Sequence, residues 1–343
     1  MMKIVYSKIW ICLLLPLLIV TGNTGCSKIG LGRSEQHFTP KIESAFGDFE
    51  KNAPHSHRQP AAPAQALAEM TAPEHEKQGD MAYARKELAN AYVHYEKSLE
   101  KDPGNHRIMQ KQGKTLLAGG LNQKAAEAFR NLTAAAPDYA PAYEGLGLAL
   151  LRENSPDEAV TAFNEAVTLD PGLWKSHTYL GMIHDARQNY DQAINAHTEA
   201  IRTGPRNEAT HYNNLGVSYY RSGNYQKAAT VFQDAINKGL ASDRIYNNLG
   251  RALGQSGHYD QALAAFQRGG NRSQAYNNLG CVYLDKGNYE EAIASFKKAI
   301  VARPEYYATA GENLKHAREA RQNRANRSNM DNTGSDIPIN PEE

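Results

Sequence analysis

The chain is poor in several things that commonly define a function. Its 343 residues hold three cysteines, too few for a disulfide scaffold. Tryptophan occurs twice and phenylalanine eight times, although tyrosine reaches 19. Neither sign of charge is in excess: 38 Lys and Arg against 37 Asp and Glu leave a net charge of +1. That balance gives no electrostatic reason to expect nucleic acid as the main ligand. Long apolar runs are also missing, with one exception near the start, Ile9 to Val20 (IWICLLLPLLIV). As a helix that run would span about 18 Å, short of a hydrocarbon core of about 30 Å. What is present is 41% hydrophobic and 22% charged residues. This is enough apolar material for a large core and excludes wholesale disorder.

The apolar run follows Lys3 and Lys8 and leads into Thr21-Gly22-Asn23-Thr24-Gly25-Cys26. A basic start, a short apolar stretch and small residues form a secretory leader, with residues 1–25 as the signal peptide. Gly25 before Cys26 is similar to the end of a bacterial lipobox, although Asn23 stands where an apolar residue is usual. The resemblance implies lipidation of Cys26, and Ser27, which is not Asp, implies sorting to the periplasmic face of the bacterial outer membrane. Each buried acyl CH₂ contributes about 0.8 kcal/mol to such an anchor. Ordinary secretion and an uncleaved anchor are the alternatives. Cys281 would then be the only free thiol. Residues 26–71, rich in Pro, Ala, Gln and His, read as a flexible linker. Residues 321–343 are polar and Asn-rich and read as a disordered tail.

Between linker and tail the chain repeats. Glycines stand at 79, 113, 147, 181, 216, 250 and 280, spaced by 34, 34, 34, 35, 34 and 30. Twelve residues after each is an alanine: Ala91, Ala125, Ala159, Ala193, Ala228, Ala262 and Ala292. Four further on is a ring: Tyr95, Phe129, Phe163, His197, Phe232, Phe266 and Phe296. Pro103, Pro137, Pro171 and Pro205 share a 34-residue period, and Pro304 keeps the phase. Tyr212, Leu215, Gly216 and Tyr219 fall on one face of a helix. A polar break, Arg221 to Asn224, leads to a second helix carrying Ala228, Phe232 and Ala235. Small residues let the two axes approach, the ring fills the groove beside them, and proline ends the unit.

This pattern resembles the tetratricopeptide repeat (TPR) family, whose 34-residue unit is aromatic, Leu-Gly, aromatic, Ala, ring, Ala, Pro. The resemblance implies an all-α, right-handed superhelical solenoid of seven helix-turn-helix units: 72–105, 106–139, 140–173, 174–208, 209–242, 243–272 and 273–306. A cap helix over 307–320 follows. Units one (His75, Gln78) and two (Met109, Gln112) depart at the aromatic and Leu positions and have the polar outer face of capping repeats. Four residues are missing between Phe266 and Tyr276, about one helical turn. The second helix of unit six is therefore expected to be a turn short, with a change of pitch after it.

The resemblance also implies a non-catalytic scaffold that takes a protein or an extended peptide in its concave groove, without cofactor, metal, nucleic acid or small-molecule substrate. Tyr-Asn-Asn-Leu-Gly occurs three times, ending at Gly216, Gly250 and Gly280. Helix packing alone gives no reason for two amides, and Asn is a mediocre helix former. In the family the residue before the Leu faces the groove, which makes Asn214, Asn248 and Asn278 candidate binders of a peptide backbone. Arg244 and Arg251 are candidates for an acidic group. The opposing reading is repeat drift, with the amides merely solvent-exposed.

Other chemistry is weaker. His177, His184 and His197 have the residue type of a zinc site, against internally hydrogen-bonded packing as the plainer reading. Gly113-Lys114-Thr115 ends like a phosphate loop but lacks the upstream glycine, position 108 being Ile. Cys281 has no base at a fixed spacing. The build resembles TadD-type lipoproteins of the tight-adherence (Flp) pilus machinery and the pilotins of type IV pilus secretins, which implies a role in assembling a pilus or secretion apparatus. A docking subunit of a peptidoglycan or polysaccharide synthesis complex is the alternative. A metal or thiol enzyme is the remaining one.

Overall fold

The computed structural model describes residues 70–302 and 308–333, with side chains of the last helix to residue 326. The segment expected to be a leader, the expected lipidation position Cys26, the histidines at 55 and 57 and Pro304 lie outside the described residues.

The described chain is all-helical. It runs as α1 (Ala72–Ala84), α2 (Leu88–Lys101), α3 (His106–Ala118), α4 (Asn122–Ala135), α5 (Ala140–Arg152), α6 (Pro156–Leu169), α7 (Trp174–Ala186) and α8 (Tyr190–Thr203). It continues as α9 (Ala209–Arg221), α10 (Tyr225–Asn237), α11 (Asp243–Gln255), α12 (Tyr259–Arg268), α13 (Arg272–Asp285), α14 (Tyr289–Val301) and α15 (Ala308–Thr333). Each helix packs on the next, giving seven helix pairs and a final helix, the arrangement of a TPR solenoid. From unit two onward, successive first helices also touch each other, which second helices do not do to that extent. This asymmetry puts the first helices on the inner, concave side.

The repeated residues do what their spacing demands. All seven alanines are fully buried, and the seven rings are at most 2% exposed. A Cβ placed on any repeat glycine would collide with the ring of its own unit, 2.7 Å from Phe129 at Gly113, from Phe163 at Gly147 and from Phe266 at Gly250. Hydrogen is the only side chain that admits the ring. Pro103, Pro137, Pro171 and Pro205 stand just past α2, α4, α6 and α8. The turns inside units one to seven each hold one residue at positive φ. Four are Gly, namely Gly120, Gly223, Gly257 and Gly287, and the others are Lys86, Asn154 and Gln188 at φ 62°.

The missing turn falls as expected: α12 has 10 residues where the other second helices have 13 or 14. Its early end brings the carbonyl of Gly269 against α11. Asn247 Nδ2 donates to that oxygen at 2.7 Å and to Asp243 O at 2.8 Å. A Cβ on Gly269 would lie 2.8 Å from Asp243 O, so the glycine permits the approach.

Two differences concern the C-terminal part. Helix α15 does not stop at 320 but runs to Thr333, into the stretch read as a disordered tail. Arg321 pairs with Glu290 at 3.0 Å, and Arg324 lies over the Tyr289 ring and donates to Gly287 O. These contacts extend the cap along α14. Its Asn313-Leu314 also repeats the Asn-Leu of the preceding units, so α15 is the first helix of an unfinished eighth unit. Where the repeat has Gly it has Lys315, 80% exposed, and no ring of a second helix packs there among the described residues. Cys281 is 5% exposed and packs with Ile293, Phe296 and Ala317, so its sulfur belongs to the core beneath the cap.

Candidate functional site

The concave wall divides into two parts of different chemistry. In units five to eight the paired amides face one another across helices. Asn248 Nδ2 donates to Asn213 Oδ1 at 2.9 Å, Asn278 Nδ2 to Asn247 Oδ1 at 3.0 Å, and Asn313 Nδ2 to Asn277 Oδ1 at 3.0 Å. The first Asn of each pair is stitched to the second Asn of the next unit. This corrects the expectation that packing has no use for two amides: one accepts from ahead and the other donates behind.

The candidate binding residues are therefore placed unequally. Asn248 is 1% exposed and Asn278 9%, both spent on the stitch. Asn214 is half-buried, its Oδ1 3.5 Å from Asn213 Nδ2. Arg244 is exposed and borders an open pocket of about 570 Å³ with Thr210, Asn213, Ser242 and Asp243. Arg251, seven residues along the same helix, lies over the Tyr220 ring at 5.4 Å. Burial pushes the nearby Asp285 carboxyl above the ordinary range, and the Arg251 charge opposes that shift.

Units one to four present charge and apolar surface instead. Glu76 receives Arg107 and Lys111, each at 2.7 Å, and Lys111 also reaches Asp80 at 2.7 Å. Ser176 Oγ donates to Glu144 at 3.0 Å. Desolvation within the wall holds the Lys114 ammonium below the ordinary lysine range; Glu144 opposes this, and Lys175 and Lys111 add to it. Beyond them a pocket of about 520 Å³ is lined by Leu148, Leu151, Tyr179, Met182 and Ile183, with Arg152 and Arg187 at its rim.

The remaining sequence candidates separate. His197 Nε2 lies 3.2 Å from Asp185, which also accepts from Ser218 Oγ at 2.7 Å. His177 Nε2 is 3.1 Å from Pro171 O. Burial lowers the His184 pKa, Arg187 adds to the shift and Asp185 opposes it. The three imidazoles thus have different surroundings, and no group of three metal-ligating side chains is assembled among the described residues. An imidazole at the ring position needs a polar neighbour, and Asp185 supplies it. Gly113 to Thr115 lie inside α3, with Thr115 Oγ1 donating to Lys111 O, so they form no phosphate loop. Cys281 Sγ accepts from Asn313 Nδ2 at 3.7 Å. No described helix is long and apolar enough to cross a membrane.

Sequence reasoning missed the stitch and the second pocket. The signal for the stitch was Asn313-Leu314, which repeats the Asn-Leu of the earlier units although Lys315 follows in place of the repeat glycine. The pocket gave none, since Leu148, Leu151 and Met182 read as ordinary core.

Comparison with known proteins agrees with this architecture. Family models described as tetratricopeptide repeat match residues 111–173, 175–238, 243–269 and 273–306. No curated protein matches the chain. Among solved structures the chain is similar to MamA, at 26% identity over 49% of this chain and 91% of that one, TM-score 0.43. It is similar to YrrB, described as a TPR protein with an unusual peptide-binding site, at 23% identity over 55% and 99%, TM-score 0.45. A third is a tetratricopeptide repeat protein from Parabacteroides merdae, at 16% identity over 72% and 98%, TM-score 0.47. The family matches, with the buried Gly, Ala and ring positions of all seven units, place the chain in the tetratricopeptide repeat family.

Proposed function

We propose that the protein is a non-catalytic scaffold whose concave wall holds an extended segment of a partner protein while an N-terminal lipid on Cys26 ties it to the periplasmic face of the outer membrane. The observation that carries the scaffold reading is the wall itself: first helices side by side, offering Arg244, Thr210 and Asn213 around an open pocket of about 570 Å³. Lipidation and localisation rest on the leader and on Gly25-Cys26. Service in a pilus or secretion apparatus is the pathway this build suits, with the tether giving reach and the array giving grip. Arg244 and Arg251 receive acidic groups of the segment, and Asn214 takes part in holding its backbone.

A photo-crosslinking residue in place of Arg244, compared with the same residue in place of the exposed Gln233 on α10, tests the groove. A partner crosslinked from 244 and not from 233 supports it; equal labelling sinks it. Mass spectrometry of the membrane-extracted protein tests the anchor, and an unmodified Cys26 refutes it.

A further inference from the structure

The two parts of the wall differ in what they leave for a partner. In units six and seven the amides that could bind a peptide backbone, Asn248 and Asn278, are held by the amides of the neighbouring unit, and a ligand would have to break bonds of 2.9–3.0 Å to reach them. In units two to four the reverse holds. Lys111 is neutralised by Glu76 and Asp80, but Lys114 and Lys175 make no ion pair among the described residues. Lys175 instead lies 5.4 Å from the Trp174 ring centre. The two lysines and Glu144 interact electrostatically. Glu144 and Arg152 in turn act on Tyr179, which lines the apolar pocket. The lysines and the pocket lie on three neighbouring first helices, α3, α5 and α7, and Ser176, next to Lys175, ties α7 to Glu144 of α5 at 3.0 Å.

We propose that this wall of units two to four seats the partner's recognition segment, an extended stretch carrying carboxylates beside large apolar side chains. The proposal rests on the groove reading above and names its ligand chemistry. Carboxylates meet Lys114 and Lys175, and an apolar side chain enters the pocket of about 520 Å³ between Leu148, Leu151, Tyr179 and Met182. Charge complementarity selects the acid, because two exposed cations outside any ion pair gain more from an anion than Lys111, which Glu76 and Asp80 already hold. The pocket selects against a plain polyanion, because a phosphate backbone has nothing to bury there.

The test uses fluorescence anisotropy with the lipid-free chain and three short labelled peptides in a common Ser-rich background: Glu with Leu, Gln with Leu, and Glu alone. The Glu–Leu peptide is expected to bind at least about tenfold more tightly than either other, and more weakly as salt rises from about 0.05 to about 0.3 M. The double variant Lys114→Glu, Lys175→Glu should weaken it by about tenfold or more, with an unchanged circular dichroism spectrum. Met182→Gln should weaken the Glu–Leu peptide and leave the Glu peptide as it was. Equal binding of the Gln–Leu peptide, indifference to the double variant, or equally tight single-stranded DNA would each overturn the proposal. So would failure of all three peptides. If position 244 still crosslinks a partner in that last case, the ligand chemistry falls and the groove reading stands.

Discussion

At the residue scale, each repeat glycine is set by one contact, the ring of its own unit. Gly250→Ala forces a methyl group against Phe266, whose carbons lie 2.7 Å from the Cβ position. The expected cost is about 1–3 kcal/mol in urea unfolding, the usual range for overpacking. Lys315, at the equivalent place in α15, faces solvent, and Lys315→Ala should stay within about 0.5 kcal/mol. The left-handed turns give the opposite sign. Gln188 holds φ 62° where sister turns have glycine. A side chain costs about 1–2 kcal/mol in that conformation, partly offset by the backbone entropy glycine loses on folding. Gln188→Gly should therefore raise stability by about 0.5–1 kcal/mol, read as a higher urea midpoint.

At the element scale, the amide stitch adds to the apolar packing that couples one helix pair to the next in units five to eight. Asn247 is its most committed member, donating to Asp243 O and Gly269 O while accepting from Asn278. Asn247→Ala frees the early end of α12 and should cost about 1–3 kcal/mol. Its mark is faster amide hydrogen exchange in α12 and α13, with α3 and α4 unchanged, because a repeat array opens locally. Asn313→Ala should likewise loosen α15 on α13. Protection unchanged in both variants would mean the stitch is incidental.

At the scale of the whole molecule, three histidines are expected to make the array sensitive to acid. Burial lowers the pKa of His94, His184 and His211; His75 adds to the first shift, Arg187 to the second and His197 to the third. Asp185 opposes the shift at His184, and Glu208 the one at His211. A lowered folded pKa means the unfolded chain takes up protons first as pH falls. Stability is therefore full above the ordinary histidine value of 6.5 and declines as pH drops below it, through the lowered folded values. Melting temperature should fall between about pH 7 and pH 5, and His94→Gln with His184→Gln and His211→Gln should flatten that slope. An equal slope in the triple variant would assign the acid sensitivity to carboxylates such as Glu199 and Glu208, whose pKa values are lowered by hydrogen bonds from Arg202 and Thr210.

The fold was legible in one sequence because a repeat states its packing rule seven times. Gly, Ala and ring at fixed spacing describe a single contact between two helices, and the contact recurs wherever the spacing does. The shortened α12 was legible for the same reason: four missing residues interrupt a counted period. The candidate site was not. Whether an asparagine on an inner helix face meets a ligand or a neighbour depends on the distance between units, and no residue within one unit encodes that distance. The amides of units five to eight meet each other, while Lys114 and Lys175 form no ion pair among the described residues, and both facts arise only when helices far apart in sequence are brought side by side. Local spacing fixed the helix pairs; only the stacking of one pair on the next decided which polar groups remain for a partner.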